Sequence, residues 1–473
     1  MTATTNRFLN TCFVILFILS VTVTACSDGG DDVPTPVLDG PVLVNSTPVD
    51  GATDLAEGSI TITLTFDQNV TSPSSTHSLV TLSDATVTSV VASLTKVTIK
   101  ATGLEKGNTY QLVVPKGVVL GPTKVAATQV IISFSIQEEV QTAITTSLAI
   151  DNPSQQAQNV YNFLVENYGQ KVLSGAMANV NWNTNEAEWV KLQTGKYPAI
   201  ATFDYVHLPY SPANWVDYSN TTIQQDWWNN NGLISAGWHW IVPTAEGATD
   251  YTYKPEETTF KASNATIDGT WENDLVKADL KKTADYLKLL QAKNIPVIWR
   301  PLHEAAGNIY EFSGGSAWFW WGADGAEAYK DLWIYMFDYF KTQGLNNLIW
   351  VWTTQTKDRE FYPGDNYVDI VGRDIYNNSK TLDIADEFAS IQENYPTKMV
   401  TLSECGNAAN ISAQWNAEAQ WSFFMPWYDY ERTDDVNESD FGETSHEHAD
   451  ATWWTDAFNH SDVITRDQMP SLK

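Results

Sequence analysis

Cysteine is nearly missing from this chain of 473 residues: Cys12, Cys26 and Cys405 are its full complement. Cys12 lies in an apolar leader and Cys26 at its end, which leaves Cys405 alone and excludes a disulfide framework. Positive charge is scarce as well, with 27 Lys+Arg against 57 Asp+Glu and a formal net charge of −30. That imbalance argues against nucleic acid or anionic lipid headgroups as partners. No HExxH or comparable ligand spacing occurs, so neither a metal nor another cofactor is expected. Tryptophan is absent before Trp182, yet the chain contains 20 of them. This break in composition marks a domain boundary. What is abundant is the complement: aromatic side chains, suited both to a large core and to lining a cleft.

The chain opens with Arg7 and an apolar run over residues 13–19, too short and too near the start for a transmembrane span. Residues 1–25 read as a secretory leader. Val23-Thr24-Ala25-Cys26 resembles the lipobox of bacterial lipoproteins, which implies lipidation at Cys26 and a membrane link through that lipid alone. Residues 26–39 form an acidic, Gly-rich tether. Ser27-Asp28-Gly29-Gly30-Asp31-Asp32 within it resembles the export signal of surface lipoproteins, which implies the outer face of an outer membrane.

Residues 40–137 are rich in Thr, Val and Ser. Residues 59–66 and 96–100 alternate apolar and polar with period two, as half-buried strands do, and Gly/Asn/Asp clusters separate such runs. An antiparallel β-sandwich is expected. Ser46-Thr47-Pro48, Gly51-Ala52-Thr53, Phe66-Asp67 and Ile132-Ser133-Phe134 resemble a bacterial Ig-like domain, which implies a spacer.

Past residue 146 the rhythm becomes strand–helix alternation. A helix over residues 154–168, with Ser154 as N-cap, comes first. Short apolar runs follow at 171–177, 197–206, 232–240, 295–304, 347–353, 368–376, 398–406 and 420–427. Helical periodicity is clearest over 273–293 and 326–342. Eight strands with intervening helices predict a (β/α)8 TIM barrel over residues 147–473. Two of the strands end in a glutamate: Arg300-Pro301-Leu302-His303-Glu304 on the fourth and Ser403-Glu404-Cys405-Gly406 on the seventh.

In such a barrel the carboxyl ends of the strands meet at one cleft, so the two glutamates are expected to face each other. Retaining glycoside hydrolysis needs such a pair, with one carboxyl protonated and the other ionised. Glu304 is assigned as acid/base and Glu404 as nucleophile. Adjacent strand residues point opposite ways, so His303 and Glu304 reach one cleft only if the chain bends there. Arg300 is placed to orient a carboxylate, and Tyr376 to donate its hydroxyl to the nucleophile. Strand-end aromatics, Trp238, Trp318 and Trp427, with His239 between two indoles, are expected to line the cleft. Trp299, Trp333, Trp350 and Trp352 sit in element interiors and read as core. Cys405 reads as packing.

With those motifs in hand, residues 150–473 resemble glycoside hydrolase family 26, the β-mannanase family. Trp238-His239-Trp240, Trp318-Phe319-Trp320-Trp321-Gly322, Gly372-Arg373-Asp374-Ile375-Tyr376 and Met425-Pro426-Trp427-Tyr428 resemble its other cleft motifs. The resemblance implies a retaining, endo-acting enzyme on mannan, glucomannan or galactomannan, with His303, Trp318, Tyr376 and Trp427 shaping the subsites. One departure is a longer link over residues 305–315. Two other readings stand beside it: the same mechanism on β-1,3-xylan or mixed-linkage β-glucan, and a non-catalytic surface glycan-binding protein. A monomer is expected.

Overall fold

A computed structural model of the protein describes residues 39–137, 143–178, 180 and 182–473. The expected leader, the lipidation site at Cys26 and nearly all of the tether lie outside the described residues. The chain divides into two compact units at residue 140.

In the first unit, two four-stranded sheets pack face to face. One runs Leu43–Thr47, Gly58–Phe66, Lys96–Leu104, Thr86–Ser93; the other runs Ala52–Leu55, Val130–Ile136, Thr109–Val114, Thr81–Leu82. The period-two pattern sends Ile62, Leu64, Phe66, Val97 and Ile99 inward, where they meet Leu112, Ile132 and Phe134. One expectation needs correcting, since the sandwich is not wholly antiparallel. Ala52–Leu55 pairs in parallel with Val130–Ile136, which is possible because most of the unit's length connects the two strands.

The second unit is a closed barrel of eight parallel strands: β1 Val172–Met177, β2 Ile200–Asp204, β3 Leu233–Trp238, β4 Val297–Pro301, β5 Leu348–Thr354, β6 Ile370–Tyr376, β7 Met399–Gly406 and β8 Phe423–Pro426. Each pairs with the next, and β1 pairs with both β2 and β8, which closes the ring. Val463–Ile464 adds a short parallel segment beside β1. The strands are almost wholly buried, as a sheet covered on both faces must be.

The connecting helices follow their sequence signals. In α1, Gln155–Asn167, Ser154 Oγ accepts the Ala157 N–H at 3.2 Å. In α2, Trp271–Gln291, the helix begins two residues before the expected start because Thr270 caps Asn273. In α3, Ala326–Thr342, the expected bounds are met and Tyr329, Leu332, Trp333, Met336 and Phe340 face the barrel. Most of the tryptophans belong to this core. Trp299, Trp333, Trp350 and Trp352 are all fully enclosed.

Candidate active site

The site is built at the carboxyl ends of β3 to β8. Arg300, near the end of β4, is its hub. Its Nε–H donates to Thr353 Oγ1 at 3.0 Å, its Nη1 to Glu404 Oε2 at 2.9 Å, and its Nη2 to Asp374 Oδ2. A planar guanidinium with five donors suits this fork, and each buried carboxylate it meets is thereby paired. Asp374 also accepts from Ser403 Oγ at 2.7 Å.

Glu404 reaches this cluster because β7 carries an extra residue. Pairing with β6 runs Arg373 to Leu402 and then Asp374 to Glu404, so Ser403 is a bulge. Without it, Ser403 and Glu404 would point to opposite faces; with it, both turn inward. Tyr376, at the end of β6, donates to Glu404 Oε1 at 2.5 Å. Its ring is seated over Gly406, where a Cβ would come within 2.7 Å of it. Glu404 thus accepts from two donors, one of them cationic, which fixes its orientation.

Glu304 is held differently. β4 ends at Pro301, short of the expected strand over residues 295–304. Leu302 and Glu304 then take left-handed backbone, with φ 49° and 51°. Such conformations cost about 1–3 kcal/mol each for a bulky residue and persist only when the surroundings impose them. Here Tyr329 Oη donates to the Leu302 carbonyl at 3.0 Å and Trp321 Nε1 to the His303 carbonyl at 2.9 Å. The bend directs Glu304 to the cleft, where Gln355 Nε2 donates to its Oε1 at 3.1 Å. Burial pushes the Glu304 carboxyl well above its ordinary range; the negative charges of Asp374 and Glu404 push the same way, against Arg300 and Gln355. Asp374 is itself raised to about 6 by burial, with Arg300 pulling back. Glu304 and Asp374 are thus both pushed upward within one cluster around Arg300.

The two imidazoles also diverge. His303 is buried and held well below its usual range by burial, then by Arg300 and His239. His239 is half-buried, and Asp204 Oδ2, 2.6 Å from its Nδ1, outweighs the desolvation and raises it. The rings meet edge to face at 4.3 Å, and His303 also packs on Phe319 at 5.1 Å. Trp427 lies 5.6 Å from His239. A cleft of about 890 Å³ opens beside His239 between the β3 and β4 loops, lined by Tyr253, Lys254, Ile309, Trp318 and Phe319. The link of residues 305–315 contributes to its wall through Ile309 and Gly315.

The structure brings together Glu304, Glu404, Arg300, His239, His303, Tyr376 and Trp427, with Trp318, 39 % exposed, at the cleft wall. It does not bring Trp238. That indole has no exposure and stacks on Trp240 at 4.0 Å. Residues 238 and 240 share a face and pack toward the barrel's outer layer, while His239 between them turns to the cleft. Asp374, Asp204 and Gln355 were not singled out from the sequence. Asp374 was legible from its period-two relation to Tyr376 on β6; Gln355 lies just past β5 and left no pattern. Cys405 is buried and free, its thiol raised by burial.

A barrel whose strand ends gather a carboxyl raised by burial and a doubly hydrogen-bonded one carries the equipment of a glycoside hydrolase. Residues 150–467 match the model of glycosyl hydrolase family 26, and residues 39–136 that of the bacterial Ig-like domain. The chain belongs to glycosyl hydrolase family 26. It is 33% identical over 329 residues to mannan endo-1,4-β-mannosidase B of Piromyces sp, an alignment covering 67% of this chain and 52% of that one. The chain thus spans about half the length of the curated relatives it matches first. The crystal structure of the family 26 domain of an endo-β-mannanase/endo-β-glucanase from Prevotella bryantii superposes with TM-score 0.63 at 38% identity, covering 69% of this chain and 99% of that one. A β-mannanase from a symbiotic protist of the termite Reticulitermes speratus, complexed with gluco-manno-oligosaccharide, gives TM-score 0.58 at 34% identity, covering 69% and 98%.

Proposed function

We propose that the barrel is a retaining, endo-acting β-1,4-mannanase, with mannan, glucomannan or galactomannan as substrate. The observation that carries this reading is the unlike pair. Glu404 accepts hydrogen bonds from Arg300 and Tyr376, and Glu304 is pushed toward its protonated form by burial and by neighbouring carboxyls. Glu304 protonates the glycosidic oxygen as Glu404 attacks the anomeric carbon, which forms a glycosyl-enzyme ester and frees the leaving chain. Glu304, now ionised, takes a proton from water; the water oxygen bonds to the anomeric carbon and Glu404 leaves. Arg300 and Asp374 hold Glu404 in line. His303, neutral at working pH, and His239 shape the cleft beside the reacting bond, with Trp318 and Trp427 offering ring faces to the sugar. The activity for which the relatives are named supports mannan as the substrate class.

The same reading places the mature chain, acylated at Cys26, on the outer membrane as a surface-facing monomer, with the Ig-like unit as spacer. The lipobox-like Val23-Thr24-Ala25-Cys26 and the acidic tether support it.

Product analysis on a panel of purified β-mannan, β-1,3-xylan and mixed-linkage β-glucan tests the substrate. Rapid release of internal fragments from mannan, first formed as the β-anomer by NMR, is expected; binding without hydrolysis would remove the assignment. Labelling cells with a fatty-acid probe tests the anchor, and label on a Cys26→Ala variant would overturn it.

A further inference from the structure

Outside the cleft, the loop after β2 displays two large aromatic side chains: Tyr210 is 44 % exposed and Trp215 is 52 % exposed. In a chain that encloses most of its tryptophans, such rings leave apolar area in water that burial would stabilise by about 25 cal/mol per Å². They are held firmly. Ala213 and Val216 exchange two backbone hydrogen bonds, 2.7 and 3.2 Å, so Trp215 sits at the tip of a closed turn. Ser211 Oγ accepts the Tyr218 N–H at 3.0 Å and meets Tyr286 Oη at 3.2 Å, which ties the loop's base to α2. Tyr218 Oη accepts the His207 N–H at 2.9 Å.

The rings continue toward the active site. Trp215 packs edge-on to His207 at 4.7 Å and lies 6.0 Å from Tyr210; Tyr210 lies 5.8 Å from Tyr251. Two residues on, Tyr253 lies 5.5 Å from Phe319 and 6.1 Å from His239. The Tyr253 carbonyl accepts the Trp320 N–H at 2.9 Å, which fixes this relay to the β4 loop. Aromatic side chains thus reach from the cleft to the β2 loop, the step from Tyr253 to Tyr251 being made along two residues of backbone.

We infer that Tyr210, Trp215 and Tyr251 form a remote docking platform for a distal stretch of the β-linked polysaccharide chain whose nearer rings occupy the cleft. The inference rests on the reading of the barrel as a glycan hydrolase. Its physical basis is the match between an indole or phenol face and the C–H face of a pyranose, presented on side chains already ordered, so little conformational freedom is lost on binding. The platform lies beyond the reacting bond, so its contribution grows with chain length.

The test compares the full-length wild-type chain with a Tyr210→Ala/Trp215→Ala variant and with Trp215→Phe, on short mannan oligosaccharides and on polymeric mannan. KM for the polymer is expected to rise about 5–10-fold in the double variant, the scale of two lost ring contacts, and by less in Trp215→Phe. kcat on the short substrates is expected to change much less. An equal loss on short and long substrates would show a merely structural role, and no loss on either would remove the platform; both outcomes overturn the inference. Should wild-type protein prefer another glycan of the panel, the same length comparison on that glycan decides. Hydrolysis of none would sink the functional reading and the platform with it.

Discussion

Glu304 and Glu404 are the same side chain at two strand ends of one barrel, and the molecule treats them oppositely. Glu404 receives a guanidinium and a phenol. Glu304 receives a single neutral amide, in a setting where the nearest charges are mostly negative. The difference shows that division of labour between two carboxyls is set less by either residue than by where one arginine is spent. Arg300 lies on β4, four residues before the acid, yet it reaches across the barrel to β6 and β7. The left-handed turn at Leu302 and Glu304 directs the acid to the Gln355 amide, while Arg300 acts on it through space.

Breaking the pair outright gives the largest effect. Glu404→Ala should lower turnover of mannan oligosaccharides by on the order of 10⁴-fold or more, since no other group in the cluster is placed to bond to the anomeric carbon. Steady-state rates checked against a folded, substrate-binding variant decide this. Glu304→Ala should cost roughly 10²–10⁴-fold on polymer but far less on an aryl glycoside whose leaving group needs no proton. Equal losses on both substrates would argue against its role as acid.

Sharpening the contrast takes milder changes. Tyr376→Phe removes one hydrogen bond to a charged group, about 1.5–3 kcal/mol, so kcat should fall roughly 10–100-fold. Gln355→Leu removes the one hydrogen bond that favours the ionised form of Glu304. The carboxyl then rises further, and the basic limb of the pH–rate profile should move to higher pH with little loss at the optimum.

The smallest effect is on stability. The folded chain holds the Glu304 proton more tightly than the unfolded chain does, so that stabilisation is complete below the ordinary carboxylate range and is lost as pH rises through the raised value. Glu304→Gln abolishes this titration. Its melting temperature should therefore exceed that of wild type at alkaline pH, with the gap closing in acid; a constant gap would count against the raised carboxyl.

Much of this was legible in the sequence, for identifiable reasons. Eight apolar runs between helical patterns specify the barrel, because parallel strands covered on both faces must be apolar along their length. The two glutamates stood out as charges at the ends of such runs. What was hidden depends on backbone departures from regularity. The bend near His303 entered only as a condition for both side chains to reach one cleft, and the bulge at Ser403 has no side-chain periodicity to announce it, yet the two decide where Glu304 and Glu404 point. The expectation for Trp238 failed on alternation: proximity to His239 suggested the cleft, while parity with Trp240 consigned it to the outer layer. Tyr210 and Trp215 went unnoticed because exposure cannot be read from a loop's composition.

The bulge on β7 implies that this strand is sensitive to arithmetic more than to chemistry. Replacing Ser403 with alanine keeps the tally and leaves the glutamate aimed inward. Deleting it preserves every reactive group in the molecule but swings residue 404 outward among helices, so a lineage drifting by one codon there would go silent at a single stroke.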